Sequence, residues 1–227
     1  MSYIPGEYWI EQGKTYKEQF HYNKKFELQE QMLIDYLKSS VSIPQPFFTV
    51  LEVGCGFGRI TKLLLSNFPD INEYVAVDIS PHQVENAKEY VKPALEARKR
   101  RRNNKDKDND SVNLKFIVSD ILSLEQLNKK YDLVIASEVL LHVLPSQIEQ
   151  VIQKLVNMSN KHVINIDWYE EQIPKKTASH NFIHNYEKIY KSFSSVKKLY
   201  RIPIEKKRGL SLLFKLDTKQ SIFHVIV

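Results

Sequence analysis

Five short apolar runs, Phe47–Leu51, Tyr74–Val77, Leu114–Val118, Leu133–Ala136 and Val163–Ile166, alternate along the chain with segments of helical periodicity. A half-exposed strand alternates apolar and polar residues, whereas a strand buried on both faces is apolar almost throughout. Strands of the second kind separated by helices predict a parallel sheet covered on both sides. The helical segments are marked by Phe26, Leu28, Met32, Leu33, Tyr36 and Leu37, then by Ile60, Leu63, Leu64 and Phe68, then by a helix opening at Ser80-Pro81. Pro145 suits the first turn of a further helix carrying Ile148, Val151, Ile152 and Leu155, because its fixed φ is already helical. Near the C-terminus, Leu199–Ile204, Leu210–Leu216 and Ile222–Val227 follow one another with no room for a crossover helix, so at least two of them run antiparallel. An N-terminal helical segment rich in aromatics, residues 1–46, therefore precedes an α/β domain over residues 47–227.

At 227 residues the chain has room for one large domain with appendages. A single cysteine excludes a disulfide scaffold and a multi-thiolate zinc site. The opening residues carry no apolar secretory core, and the longest apolar stretch, Leu133–Leu144, is broken by Ser137, Glu138 and His142. The expectation is a cytoplasmic protein without a membrane partner, monomeric or a homodimer. Much of the net charge of +6 sits in Arg98–Arg102. Residues 97–112 read as a solvated, charged loop extending a helix. The alternative is an RNA contact, which needs basic residues converging from elsewhere, and Lys206–Arg208 is the other basic cluster.

Ligands of open α/β sheets bind outside the carboxyl ends of the strands, where the strand order reverses. The segment Val50–Arg59, VLEVGCGFGR, falls at the end of the first strand. Its glycines at 54, 56 and 58 permit a sharp turn and close approach of a ligand to bare backbone. Counted from Gly54, the third position of a dinucleotide fingerprint is Arg59, and the strand carries Glu52 where a pyrophosphate would lie, so an NAD site is disfavoured. A carboxylate there suits a ligand with positive charge.

The Glu-x-Gly-x-Gly-x-Gly arrangement resembles motif I of the class I S-adenosylmethionine-dependent methyltransferases, and the order of elements agrees from about residue 47 onward. The resemblance implies a Rossmann-like class I methyltransferase fold with a mostly parallel seven-stranded sheet and an antiparallel C-terminal edge. It implies that Glu52, Gly54, Cys55, Gly56, Gly58 and Arg59 surround the amino-acid part of S-adenosylmethionine. By the same resemblance Asp78 accepts from the ribose hydroxyls, Ile79 packs on adenine, Asp120 with Ile121 receives the adenine amino group, and Ser137 lines the sulfonium. Cys55 reads as a small filler of the turn.

The sequence narrows the methyl acceptor by exclusion. After the fourth strand, Ala136-Ser-Glu-Val139 lacks the tetrapeptide that planar-amine methyltransferases use, and the lone cysteine is misplaced for cytosine C5 transfer. What remains is O-, N- or S-methylation of a small molecule, or methylation of a sugar hydroxyl or of a protein carboxyl or amine, with a small-molecule or sugar hydroxyl, carboxyl or amine expected. Candidate acceptor-side residues are Glu138, His142, Asp167, Trp168 and Tyr169, with His142, His180 and His184 as the candidate catalytic bases, since histidine titrates in the useful range. Glu138 and His142, with His180 or His184, also distantly resemble the metal site of small-RNA 2′-O-methyltransferases. Leu141 stands where that site has a second glutamate, so no metal is expected. The aromatic N-terminal segment is expected to act as a lid in which Trp9 or Tyr16 touches cofactor or acceptor. A different class of function is a non-catalytic S-adenosylmethionine-binding subunit that works through a partner.

Overall fold

The structure, a computed structural model, describes residues 3–20, 24–40, 48–102, 112–170, 178–205 and 217–227. Helices α1 (Pro5–Gln12), α2 (Tyr16–Phe20) and α3 (Lys24–Ser40) lead into strand β1 (Phe48–Val53). There follow α4 (Arg59–Asn67), β2 (Ile71–Asp78), α5 (Pro81–Arg102), β3 (Asn113–Val118), β4 (Tyr131–Ser137), α6 (Ile148–Asn157) and β5 (Ser159–Trp168). The chain ends with α7 (Tyr186–Lys191), β6 (Lys198–Glu205) and β7 (Asp217–Ile226). Apart from Phe47, which lies outside the described residues, each of the five apolar runs falls within one of the first five strands. Side chains alternate across each strand. In β1, Val50 therefore joins a core with Leu33, Leu64 and Val91 from α3, α4 and α5, while Leu51 joins another with Ile152 and Tyr190 from α6 and α7.

The sheet order is β3-β2-β1-β4-β5-β7-β6. Strands β1 to β5 are parallel, and β7 runs antiparallel to both its neighbours. The edge strand β6 thus keeps the sense of the parallel strands, and the reversed strand is one place in from the edge. The cause is the segment containing α7, which carries the chain across to β6 before β7 returns in the gap. The strand order reverses between β1 and β4, where a crevice opens at their carboxyl ends.

Two local expectations are corrected. Residues Pro145–Gln147 form a turn in which the Leu144 carbonyl accepts from Gln147 and Ile148 N–H groups at 2.8 and 3.1 Å, so α6 starts at Ile148. The basic run does not begin as a solvated loop either, because α5 continues through Arg102. Val84, Ala87, Val91, Ala94 and Arg98 form one buried stripe at helical spacing. Arg98 is only 7% exposed. Its guanidinium donates to the carbonyls of Leu65 and Phe68, at 3.3 and 2.9 Å, and to those of Pro69 and Ile71. Carbonyls at a helix end have no partner within the helix, and Arg98 supplies one for the end of α4 and its turn into β2. Residues 103–111, Lys206–Arg208 and Leu210–Leu216 lie outside the described residues. Among the described residues no helix is long and apolar enough to cross a membrane.

Candidate active site

The glycine turn is held from below. The N–H groups of Gly54 and Cys55 both donate to the Val77 carbonyl, at 2.7 and 2.9 Å, tying the end of β1 to β2. Gly54 adopts φ +70°, and a Cβ there would strike Val139 beyond β4. Gly56 adopts φ +53° but has no protein atom within 4 Å of its would-be Cβ. Gly54 is a packing glycine, as is Gly58, against Ala87 and Val91 of α5. Gly56 presents bare backbone to open space.

That space is a cavity of about 530 Å³ at the carboxyl ends of the strands, within the size range of cofactor pockets. Gly54, Gly56, Asp78, Ile79, Asp120, Ile121 and Ser137 line it from the sheet side, and Trp9, Ile10 and Tyr16 from the N-terminal segment. Asp78 accepts from Gly56 N–H and Ser80 N–H, both at 2.8 Å. Burial raises its carboxyl above the usual range while these backbone donors pull it down. Asp120 accepts from Leu122 N–H at 2.7 Å and caps the 3₁₀ turn Ile121–Leu127. An ionised carboxylate has about four lone-pair sites, so both acids keep acceptor capacity for a ligand.

A side pocket of about 40 Å³ adjoins the cavity, lined by Glu52, Cys55, Gly56, Arg59, Ser137 and Glu138 among others. Glu52 is held from behind, accepting from Thr61 Oγ1 at 2.5 Å and Tyr74 OH at 2.7 Å, and burial pushes its carboxyl up to about 7. Arg59 lies over the Phe26 ring at 4.1 Å and donates to Gln29 Oε1 at 2.6 Å, Glu30 Oε1 at 3.2 Å and Ser137 Oγ at 3.3 Å. Carboxyls and a guanidinium thus line one small space, an environment fitted to a zwitterion. Cys55 is buried, and burial pushes its thiol further from the reactive thiolate.

Beyond β4, Glu138 lines both spaces with φ +58°, an unusual conformation for a residue with a side chain. Its carboxylate accepts from Gln29 at 3.5 Å and from Gln220 of β7. The 3₁₀ turn Leu140–His142 follows. His142 lines the cavity, packs on Trp9 at 4.3 Å between ring centroids, and donates from Nδ1 to the His180 carbonyl at 2.9 Å. That bond places the lone pair of the neutral ring on Nε2. Burial lowers the ring's pKa to about 4, so it is neutral at physiological pH. Tyr3 OH donates to the His142 carbonyl at 3.0 Å and accepts from Trp9 Nε1 at 3.1 Å, fastening the start of the N-terminal segment over this turn. The other end of α1 docks at Gly13, whose carbonyl accepts from Gln83 Nε2 at 2.6 Å.

Several candidates lie elsewhere. His184 is buried, donates from Nε2 to the Val143 carbonyl at 3.0 Å and does not line the cavity. His180 stacks on Tyr8 at 4.8 Å, behind the cavity wall. Neither is placed to take a proton from an acceptor in the cavity. Asp167 is fully buried, Trp168 bonds Glu170 at 2.7 Å, and Tyr169 lies against the Arg201 guanidinium at 4.5 Å. Of the acceptor-side candidates, Glu138 and His142 reach the cavity. Among the described residues no group of three or more His, Cys, Asp or Glu could hold a metal ion. Gln29, Gly13 and Gln220 gave no signal in the sequence, because their partners are distant in the chain.

A family model described as a methyltransferase domain matches residues 51–161, which run from β1 into β5 and include the glycine turn, Asp78, Asp120 and His142. That segment is a methyltransferase domain of the class I S-adenosylmethionine-dependent kind. Among curated proteins, this chain is 34% identical over 116 residues to malonyl-[acyl-carrier protein] O-methyltransferase 1 of Ilyobacter polytropus, covering 51% of this chain and 36% of that protein. It is 40% identical over 88 residues to the malonyl-[acyl-carrier protein] O-methyltransferase of Acetivibrio thermocellus, covering 39% and 24%. The match thus spans well under half the length of either relative. Among solved structures, magnesium protoporphyrin IX methyltransferase from Synechocystis PCC 6803 with bound S-adenosylmethionine has a TM-score of 0.66 at 14% identity, covering 99% of this chain and 98% of that one. The methyltransferase domain of bacterial CtHen1 has a TM-score of 0.61 at 15% identity, covering 90% and 100%. At such identities the likeness is one of fold.

Proposed function

We propose that this chain methylates an oxygen atom of a small acceptor, using S-adenosylmethionine held across the cavity and its side pocket. The observation that carries the reading is the single cavity shared by Gly56, Asp78 and Asp120 at one end and by neutral His142 at the other. The donor set fits the cofactor. Asp120 and Ile79 take the adenine, Asp78 the ribose hydroxyls, and bare Gly56 lets the ligand cross the backbone. In the side pocket Arg59 takes the carboxylate of the amino-acid end, while Glu52 and Glu138 offset its ammonium. Bound there, S-adenosylmethionine supplies an electrophilic methyl group that is given up by in-line displacement.

The chain's own contribution is mainly positioning and exclusion of water, effects that reach several kcal/mol in oriented reactions. The N-terminal segment roofs the site with Trp9 and Tyr16. His142 Nε2 takes the proton of an acceptor hydroxyl as the methyl–oxygen bond forms and makes that oxygen acidic, because a ring held near pKa 4 is too weak a base to deprotonate the hydroxyl beforehand. The relatives named as O-methyltransferases favour an oxygen acceptor.

The test is transfer of label from S-adenosylmethionine into extract fractions of small molecules, protein and RNA, with S-adenosylhomocysteine binding measured by calorimetry. Asp78→Ala should abolish binding and label together. His142→Gln should keep binding and lower transfer to a hydroxyl acceptor by about 10²-fold or more. Label confined to RNA would replace the small-molecule acceptor, and binding with no transfer would favour a partner-dependent subunit.

A further inference from the structure

Asp167 holds a costly position. It sits near the carboxyl end of β5, fully buried, and no Lys or Arg is among the groups that act on it. A carboxyl without a cation in a protein interior is expensive unless its hydrogen bonds are needed there. Its Oδ1 accepts from Leu141 N–H at 3.2 Å, and the Leu140 N–H also bonds the carboxyl. Those N–H groups open the 3₁₀ turn Leu140–His142, where an intrahelical partner is missing. Its Oδ2 accepts from Asn165 Nδ2 at 3.1 Å, and Asn165 Oδ1 accepts from Tyr190 OH at 2.7 Å. Both Asn165 and Tyr190 are fully buried. A continuous chain of hydrogen bonds therefore runs from α7 through β5 to the turn that carries His142.

We infer that Asp167 is a positioning residue: it fixes the 140–142 turn, and with it the His142 ring, against the cavity, and is itself fixed through Asn165 and Tyr190. This rests on the reading of His142 as the group that faces the acceptor. Other bonds hold the turn by its carbonyls, from Phe182 N–H to Leu141 at 2.7 Å and from Tyr3 OH to His142 at 3.0 Å, whereas Asp167 takes the N–H groups at its start. Glu138 enters it in a strained conformation, and Val139 packs on Gly54 by shape alone. An active-site group needs such support, since an error of about 1 Å in placement can cost on the order of 100-fold in rate. Asparagine at 167 could serve the same turn. Its carbonyl would accept from Leu141, its NH₂ would donate to Asn165 with that amide reversed, and Tyr190 OH would then accept instead of donating.

The test compares Asp167→Ala, Asp167→Asn and Tyr190→Phe in the full chain. Calorimetry with S-adenosylhomocysteine reads cofactor-site integrity, histidine-selective NMR assigned with His142→Gln reads the ring, and label transfer reads turnover. Asp167→Ala should bind S-adenosylhomocysteine within about threefold of the parent, shift or broaden the His142 ring signals, and lose about 100-fold in transfer. Asp167→Asn should restore the parent ring signals and most of the turnover. Unchanged His142 signals in Asp167→Ala overturn the inference, and so does a parallel loss of cofactor binding, which would mean general support of the domain. If Asp167→Ala does not fold, Tyr190→Phe decides in the same way: a smaller shift of the same signals supports the relay and no shift overturns it. A parent chain without transfer would remove the proposed function, while the ring signals would still judge the positioning.

Discussion

Replacing Arg98 by alanine should destabilise the protein far more than its place in a run of basic residues suggests. The guanidinium bonds four carbonyls, those of Leu65, Phe68, Pro69 and Ile71, from a site that is 7% exposed. Hydrogen bonds to charged groups are each worth about 1.5–3 kcal/mol net. The four share one donor group, and water can re-enter at the end of α4, so their sum overstates the loss. Removing one side of a buried charged network typically costs about 3–5 kcal/mol, and alanine's helix propensity returns only a few tenths. A loss of about 3 kcal/mol corresponds to a fall of roughly 6–12 °C in Tm for a chain of this size. Urea denaturation followed by circular dichroism reads the difference directly. Arg100→Ala is the control, because its side chain is 81% exposed and its contact with Glu96 is a surface pair at 3.6 Å. Such pairs contribute about 0–1 kcal/mol. If Arg98→Ala and Arg100→Ala unfold at the same urea concentration, the buried-cap reading of Arg98 is wrong.

Gly56→Ala separates ligand contact from folding: with nothing within 4 Å of the new Cβ, stability should fall only by the left-handed strain of about 1–2 kcal/mol, while affinity for S-adenosylhomocysteine falls at least tenfold. Unchanged affinity would show that the cofactor does not cross this backbone. Gly13→Ala places a Cβ 2.7 Å from Ser80 Cβ, so the lid should dock less closely and S-adenosylhomocysteine should dissociate faster in stopped-flow measurements. An unchanged off-rate would remove α1 as a gate. The pH dependence has a definite sign. Burial lowers His142 and His224 to about 4, so their stabilising effect grows as pH rises and is complete above the unfolded value near 6.5. Burial raises Asp167 to about 8 and Glu52 to about 7, so the folded state holds their protons and stability declines as pH rises through those values. Urea midpoints should therefore fall between pH 6.5 and 8.5, and Asp167→Asn should flatten that fall.

The parallel strands were legible because burial on both faces leaves a continuous apolar run, and the glycine turn because positive φ and close approach both demand glycine. Asp78 and Asp120 could be placed at the cavity from the same information, since a strand end is a local feature. What stayed hidden depends on partners far along the chain. Arg98 follows Ala94 at helical spacing, yet its role is set by carbonyls about thirty residues away. His142 and His184 are alike in sequence, and only the packing of the segment around His180 puts one against the cavity and buries the other. Gln29 meets Gln220 across 191 residues, a pairing without local periodicity. The aromatic content of residues 1–46 suggested a lid, but its docking relies on a missing Cβ at Gly13, which looks like any other loop glycine.

The place of β7 in the sheet bears on how the protein is made. It is the last of the seven strands to leave the ribosome, yet it lies inside the sheet and is the strand to which β6 pairs. Until it arrives, β5 presents an open edge and β6 has nothing to ladder against, which invites pairing with other nascent chains. It also delivers Gln220 to Glu138. Completion of the sheet and assembly of the cavity wall therefore belong to one late event in biogenesis, and a chain shortened before Asp217 would forfeit both.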